Sequence, residues 1–98
     1  MVRAALLGLA LLGASGCYQQ TRPEPAKLQV IAQPEEARVY VDEAFVASAR
    51  VLEGRPRRIR PGRHRITITA PGHFPHDVEV DFPAGTTTIR IALRPIPP

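Results

Sequence analysis

Cys17 is the only cysteine of the 98-residue chain and closes the run Ala14-Ser15-Gly16-Cys17. Only a thiol forms a thioether with an incoming carbon. Small residues before it let the backbone enter an enzyme's cleft, so this spacing suits covalent modification of Cys17. With no second thiol the chain has no intrachain disulfide. A second group of reactive character lies far downstream. Arg50, Arg55, Arg57, Arg58, Arg60, Arg63 and Arg65 fall within sixteen residues that hold one acid, Glu53. Guanidinium forks match phosphate and carboxylate bidentately. The segment carries +6, whereas five basic and eight acidic residues elsewhere after Cys17 leave −3. Two readings stand side by side. One is an anion-binding face for lipid headgroups, lipopolysaccharide phosphates or acidic wall polymers. The other is a solvated face partly neutralised across a sheet by Asp77, Glu79 and Asp81.

The remaining polar residues offer less. His73-Phe74-Pro75-His76-Asp77 brings two imidazoles and a carboxylate together and could seed a metal site. No third histidine has motif spacing, so two turn histidines and no metal are expected. Ser48 is the only serine after Cys17, and no glycine-rich phosphate loop exists. The chain is therefore read as a non-enzyme without a cofactor. A pI near 10.2 raises the question of nucleic acid. A single-strand binder interleaves aromatic rings with its basic residues, and 50–65 contains no ring of that kind. Nucleic acid is not expected as a partner.

Other elements must position these residues. Residues 1–16 carry a single charge, Arg3, and an apolar run from Ala4 to Ala14, the pattern of an export signal. A spanning helix wants about 20 apolar residues, and this run is shorter. Followed by Ala14-Ser15-Gly16-Cys17, it resembles a lipobox, with Ala14 where that motif usually has Leu. The resemblance implies a bacterial lipoprotein, cut before Cys17 and carrying a diacylglycerol and a further acyl chain such as palmitate on it. The membrane would then be the first partner, since two or more acyl chains anchor stably where one does not. Tyr18, where similar lipoproteins retained at the inner membrane have Asp, implies the outer membrane in a cell that has one. Residues 17–27 then form the lipidated cysteine and a polar, proline-bearing tether.

From residue 28 to 95 apolar residues recur with period two, as strands with one dry and one wet face require. The dry sets are Val39 and Val41; His64, Ile66, Ile68 and Ala70; Val78, Val80 and Phe82; and Ile89, Ile91 and Leu93. Arg60-Pro61-Gly62-Arg63 and Ala70-Pro71-Gly72-His73 have the Pro-Gly centre of a type II turn, and Pro83-Ala84-Gly85 makes a third break. The expected fold is all-β, a small antiparallel β-sandwich. Residues 43–60 are expected to hold one or two short strands around a loop, with room for a helical turn.

From Gln33 onward the chain resembles a PEGA domain. Pro34-Glu35-Glu36-Ala37 stands for the tetrad that names it, and Ala37-Arg38-Val39-Tyr40-Val41-Asp42 for the strand that follows. Leu52, Pro61-Gly62-Arg63-His64 and Ile66 to Pro71-Gly72-His73-Phe74 match later segments. Glu36 and Glu43 replace glycines of the family pattern, which implies turns without positive φ at both places. The resemblance implies a sandwich like those of transthyretin-like and carboxypeptidase regulatory domains, outside the cytoplasm, with no catalytic residues. Two functions follow as expectations: a membrane-tethered module making scaffolding contacts with an envelope protein, or a module binding peptidoglycan or another anionic polymer through residues 50–65.

Overall fold

The computed structural model describes residues 24–98; the residues read above as an export signal, the Ala14–Cys17 motif and most of those read as a tether lie outside them. In chain order the elements are β1 (Ala26–Gln33), β2 (Arg38–Val41), β3 (Ala44–Ser48), α1 (Ala49–Gly54), β4 (Arg57–Arg58), β5 (Gly62–Thr69), β6 (His76–Phe82) and β7 (Gly85–Ala92). Period two along each long strand sends alternate side chains inward. Two sheets, β4-β1-β7 and β3-β2-β5-β6, close over those inward rows as a small all-β sandwich. Leu28, Val30, Val39, Leu52, Ile66, Ile68 and Phe82 are fully enclosed. Among the described residues the buried apolar side chains run from Ala26 to Leu93 and form one core. Among the described residues no helix is long and apolar enough to cross a membrane.

Several features differ from the sequence expectation. A strand not foreseen, β1, sits at the centre of the smaller sheet, and it begins inside the residues assigned to the tether: Ala26 is buried and Lys27 is its second residue. β1 pairs with β7 in parallel, from Ala26 opposite Gly85 to Gln33 opposite Ala92, while every other pairing is antiparallel. The stretch 43–60 holds two short strands and, between them, the helical turn. Ser48 starts it as N-cap, its Oγ accepting from the Val51 N–H at 3.4 Å. Ala49 and Leu52, three apart, put the helix's apolar side into the core. Val78, Val80, Ile89 and Ile91 face inward as expected but remain half-buried, because β6 and β7 are the open edges of their sheets.

The turns divide in the same way. Gly62 and Gly72 have φ of 115° and 74°, and the His73 N–H donates to the Ala70 carbonyl at 3.1 Å, so both Pro-Gly corners turn through a left-handed glycine. Glu36 needs no positive φ, as expected. The hairpin between β2 and β3 contradicts its expectation: Asp42 and Glu43 adopt φ of 50° and 73°. A two-residue loop follows the right-handed strand twist as a type I′ or a type II′ turn; type II′ calls for glycine at its first position, and here both central residues are left-handed, as in type I′. That geometry prevails although neither residue is glycine.

Candidate functional site

Seven arginines enter the fold at different places, and cross-strand register decides what each meets. Arg63 and Arg65 lie on the outer face of β5, opposite Asp81 and Glu79 of β6. Arg63 Nε reaches Asp81 at 3.4 Å and its Nη1 reaches Glu79 at 3.6 Å; Arg65 Nε lies 3.6 Å from Asp77. The two acids hold the Arg63 guanidinium above its usual pKa, Asp81 through a hydrogen bond foremost. Arg50, on α1, pairs with Glu35 at 3.1 Å and Glu36 at 3.8 Å. Such exposed pairs add little stability, but they cancel charge. The expected neutralisation by the acids of β6 therefore holds for Arg63 and Arg65 only.

Arg55, Arg57, Arg58 and Arg60 have no carboxylate within ion-pair distance among the described residues. The seven do not form one surface; these four do the segregating. Pro56 immediately precedes β4, Pro61 forms the corner into β5, and the Ile59 N–H makes the last bond to β1, donating to the Ala26 carbonyl at 2.9 Å. Arg58 pairs with Lys27 and Arg57 with Leu28. Paired residues share a face, so Arg58 joins Lys27 on the outside while Arg57 turns toward the gap between sheets. There its Nη1 donates to the Val46 carbonyl of β3 at 2.7 Å, tying the two sheets at their edges. Lys27 is the basic residue that the sequence reading missed, because its neighbours look like tether.

The gap is a groove of about 270 Å³ lined by Leu28, Val41, Phe45, Val46, Arg57 and Ile59. Phe45 is half-exposed at its lip, with the Tyr40 ring edge-on at 5.6 Å and the Arg38 guanidinium 5.3 Å from its centroid. Arg58 and Ile59 also wall a second recess, of about 380 Å³, with Pro25, Ala26, Arg60 and Pro61. The chain thus enters the domain beside its unpaired arginines.

A different pair was not foreseen at all. His64, on the inner row of β5, places Nδ1 2.6 Å from Asp42 Oδ2 and Nε2 2.7 Å from the Arg60 carbonyl. A carboxylate and a carbonyl only accept, so both ring nitrogens must donate, and the pocket fits imidazolium. The hydrogen bond to Asp42, then the one to Arg60, raises the His64 pKa above its usual value. Desolvation of a ring whose side chain is 13% exposed opposes them. The same bond, with the Arg65 N–H donating to Asp42 Oδ1 at 2.9 Å, lowers the Asp42 pKa. Asp42 and His64 both stand in the PEGA-like segments, but 22 residues apart nothing in their spacing announces contact. With both nitrogens engaged, His64 has none left for proton transfer to a substrate.

Elsewhere His73 points its Nδ1 at the Pro71 carbonyl, 2.8 Å away. His76 opens β6 opposite Ile68, a strand residue where a turn histidine was expected. No three His, Cys, Asp or Glu residues gather to hold a metal among the described residues. Ser48 is occupied as a helix cap, and Cys17 lies outside the described residues.

A family model of the PEGA domain matches residues 26–97, a span that starts and ends with the folded unit. No curated protein matches the chain. The match covers most of the sequence, and the two-sheet fold agrees with it: the chain belongs to the PEGA domain family.

Proposed function

We propose that this protein is a non-catalytic envelope module, tethered by lipid at Cys17, which makes scaffolding contacts with an anionic component of the envelope through the pole formed by Lys27, Arg57, Arg58 and Arg60. The observation that carries this reading is the sorting of the arginines. Three are neutralised by nearby acids, and of the four that are not, Arg57 and Arg58 line the groove and Arg58 and Arg60 line the recess where the chain arrives. Charges left together without counter-ions repel one another, so a surface that faces an anion is the arrangement in which their clustering carries no penalty. The engagement of His64 and Ser48 in structural hydrogen bonds supports a role in binding rather than catalysis. Envelope localisation rests on the signal and the Cys17 motif.

Two measurements test it. Cys17→Ser should abolish incorporation of a palmitate analogue and move the protein out of the membrane fraction; unchanged fractionation removes the tether. Residues 18–98, which contain the core from Ala26 to Leu93, should be retained on purified wall sacculi or an immobilised polyanion at low salt and released near 1 M, where the Debye length falls to about 3 Å. Salt-independent retention, or none, removes the electrostatic contact.

A further inference from the structure

Resting on that reading of the basic pole, we infer that its partner is the membrane surface itself: the pole lies on anionic phospholipid headgroups, with Phe45 and the apolar groove floor at the boundary with the acyl chains. Three observations converge. The first is position. Pro25 and Ala26 border the same recess as Arg58 and Arg60, and Cys17 is seven residues before Glu24. Seven residues span at most about 25 Å when extended, so a lipid on Cys17 keeps this end of the domain within that distance of the bilayer. The second is charge. Lys27 and Arg58 project together from the outer face of the smaller sheet, whose outward residues Gln29, Ile31, Thr86, Thr88 and Arg90 include no acid. Juxtamembrane basic residues of this kind are drawn to anionic lipid headgroups.

The third is the company the arginines keep. A site for a fully hydrated polymer needs no apolar component, yet Arg57 and Arg58 rim a groove floored by Leu28, Val41 and Ile59, with a half-exposed phenylalanine at its lip. Cations flanking an exposed ring and an apolar floor reproduce the layering of a lipid interface, phosphate above and hydrocarbon below. The guanidinium of Arg38 over Phe45 extends the basic rim around that ring.

The test uses residues 18–98 without lipid, so that attachment cannot come from an acyl chain. Vesicles of phosphatidylglycerol and phosphatidylethanolamine in equal parts are compared with phosphatidylcholine alone and with soluble polyphosphate. Binding to the anionic vesicles is expected and should weaken about fivefold per basic residue removed. Arg58→Gln/Arg60→Gln, which spares the Arg57–Val46 hydrogen bond, should therefore lose roughly 25-fold, and adding Arg57→Gln roughly a hundredfold. The chain has no tryptophan, so in Phe45→Trp the introduced indole reports alone, and its emission should shift to the blue on anionic vesicles. Equal binding by wild type and the double variant overturns both the inference and the basic-pole reading, as does binding to neither vesicles nor polyphosphate. Binding to polyphosphate without binding to vesicles overturns the membrane partner and leaves the basic pole standing. Vesicle binding by Phe45→Trp with no shift in its emission overturns the placement of the groove.

Discussion

Glycine placed at 42 and at 43 should change stability in opposite directions, although the two residues are neighbours in one turn. Both are left-handed, a conformation that costs an L-residue about 1–2 kcal/mol. At 43 the side chain is exposed and makes no hydrogen bond or ion pair among the described residues. Glu43→Gly therefore removes the strain and loses no contact. Against it stands the extra freedom of glycine in the unfolded chain, roughly 0.5–1 kcal/mol. The difference is a gain of about 0.5–1 kcal/mol, which in a domain of this size raises Tm by roughly 2–8 °C. At 42 the same relief is outweighed. The Asp42 carboxylate accepts from the Arg65 N–H and from His64 Nδ1, and its loss leaves the enclosed imidazolium without a counter-charge. Asp42→Gly should lower Tm. Thermal and urea unfolding of residues 18–98, wild type beside the two variants, provides the assay, with equal m-values as the check that only the native state has moved. Shifts of the same sign at both positions would refute the account of the turn.

Three further outcomes are expected. The raised His64 pKa contributes stability that is complete below about 6.5, the unfolded value, and is lost as pH rises through the folded value; the lowered Asp42 pKa contributes stability that is lost on acidification. Urea unfolding from pH 5 to 9 should thus show wild type losing stability relative to His64→Gln toward alkaline pH, and a constant difference would contradict the doubly donating ring. Ile68→Ala, at a fully buried position, should cost about 2–5 kcal/mol; Thr67→Ala, which gives up a 3.1 Å hydrogen bond to Asp77 on the outer face, should cost less than about 1. Similar denaturation midpoints for those two would mean that the register of β5 is shifted by one. Ser48→Ala should cost about 1 kcal/mol by uncapping α1, and no measurable loss would show that the cap is dispensable in so short a helix.

The long strands β5, β6 and β7 were legible because each keeps its large apolar residues on one face. β1 was not. In Ala26-Lys27-Leu28-Gln29-Val30-Ile31-Ala32-Gln33, Ile31 stands on the wet face and fuses Val30 to Ala32 into an apolar run that hides the period. Its parallel pairing was beyond reach for another reason, since its partner lies 59 residues away and no local signal encodes the register. The helix spans six residues, too few for a 3.6-residue period to declare itself. At the candidate site, the neutralising role of Asp77, Glu79 and Asp81 could be read from alternation. Which arginines escape it could not, because that depends on β4 pairing with β1 and not with β6. The His64–Asp42 pair belongs to the same class: the residues were visible, their meeting was a property of the β2–β5 register.

The pairing of the first strand with the last also sets an order of events. Val30 and Leu28, which fill the middle of the sandwich, acquire their sheet neighbours Ile89 and Thr87 only when the final strand is present. The smaller sheet closes the longest loop in the domain, and such closures are slow and come late. A nascent chain truncated anywhere before β7 leaves one edge of β1 unpaired along its whole length and lacks Ile89 and Ile91, which pack against the core. Folding is thereby deferred until synthesis of the domain is finished. Were the chain threaded unfolded through an export channel, as the proposed function requires, that delay would be an advantage built into the topology.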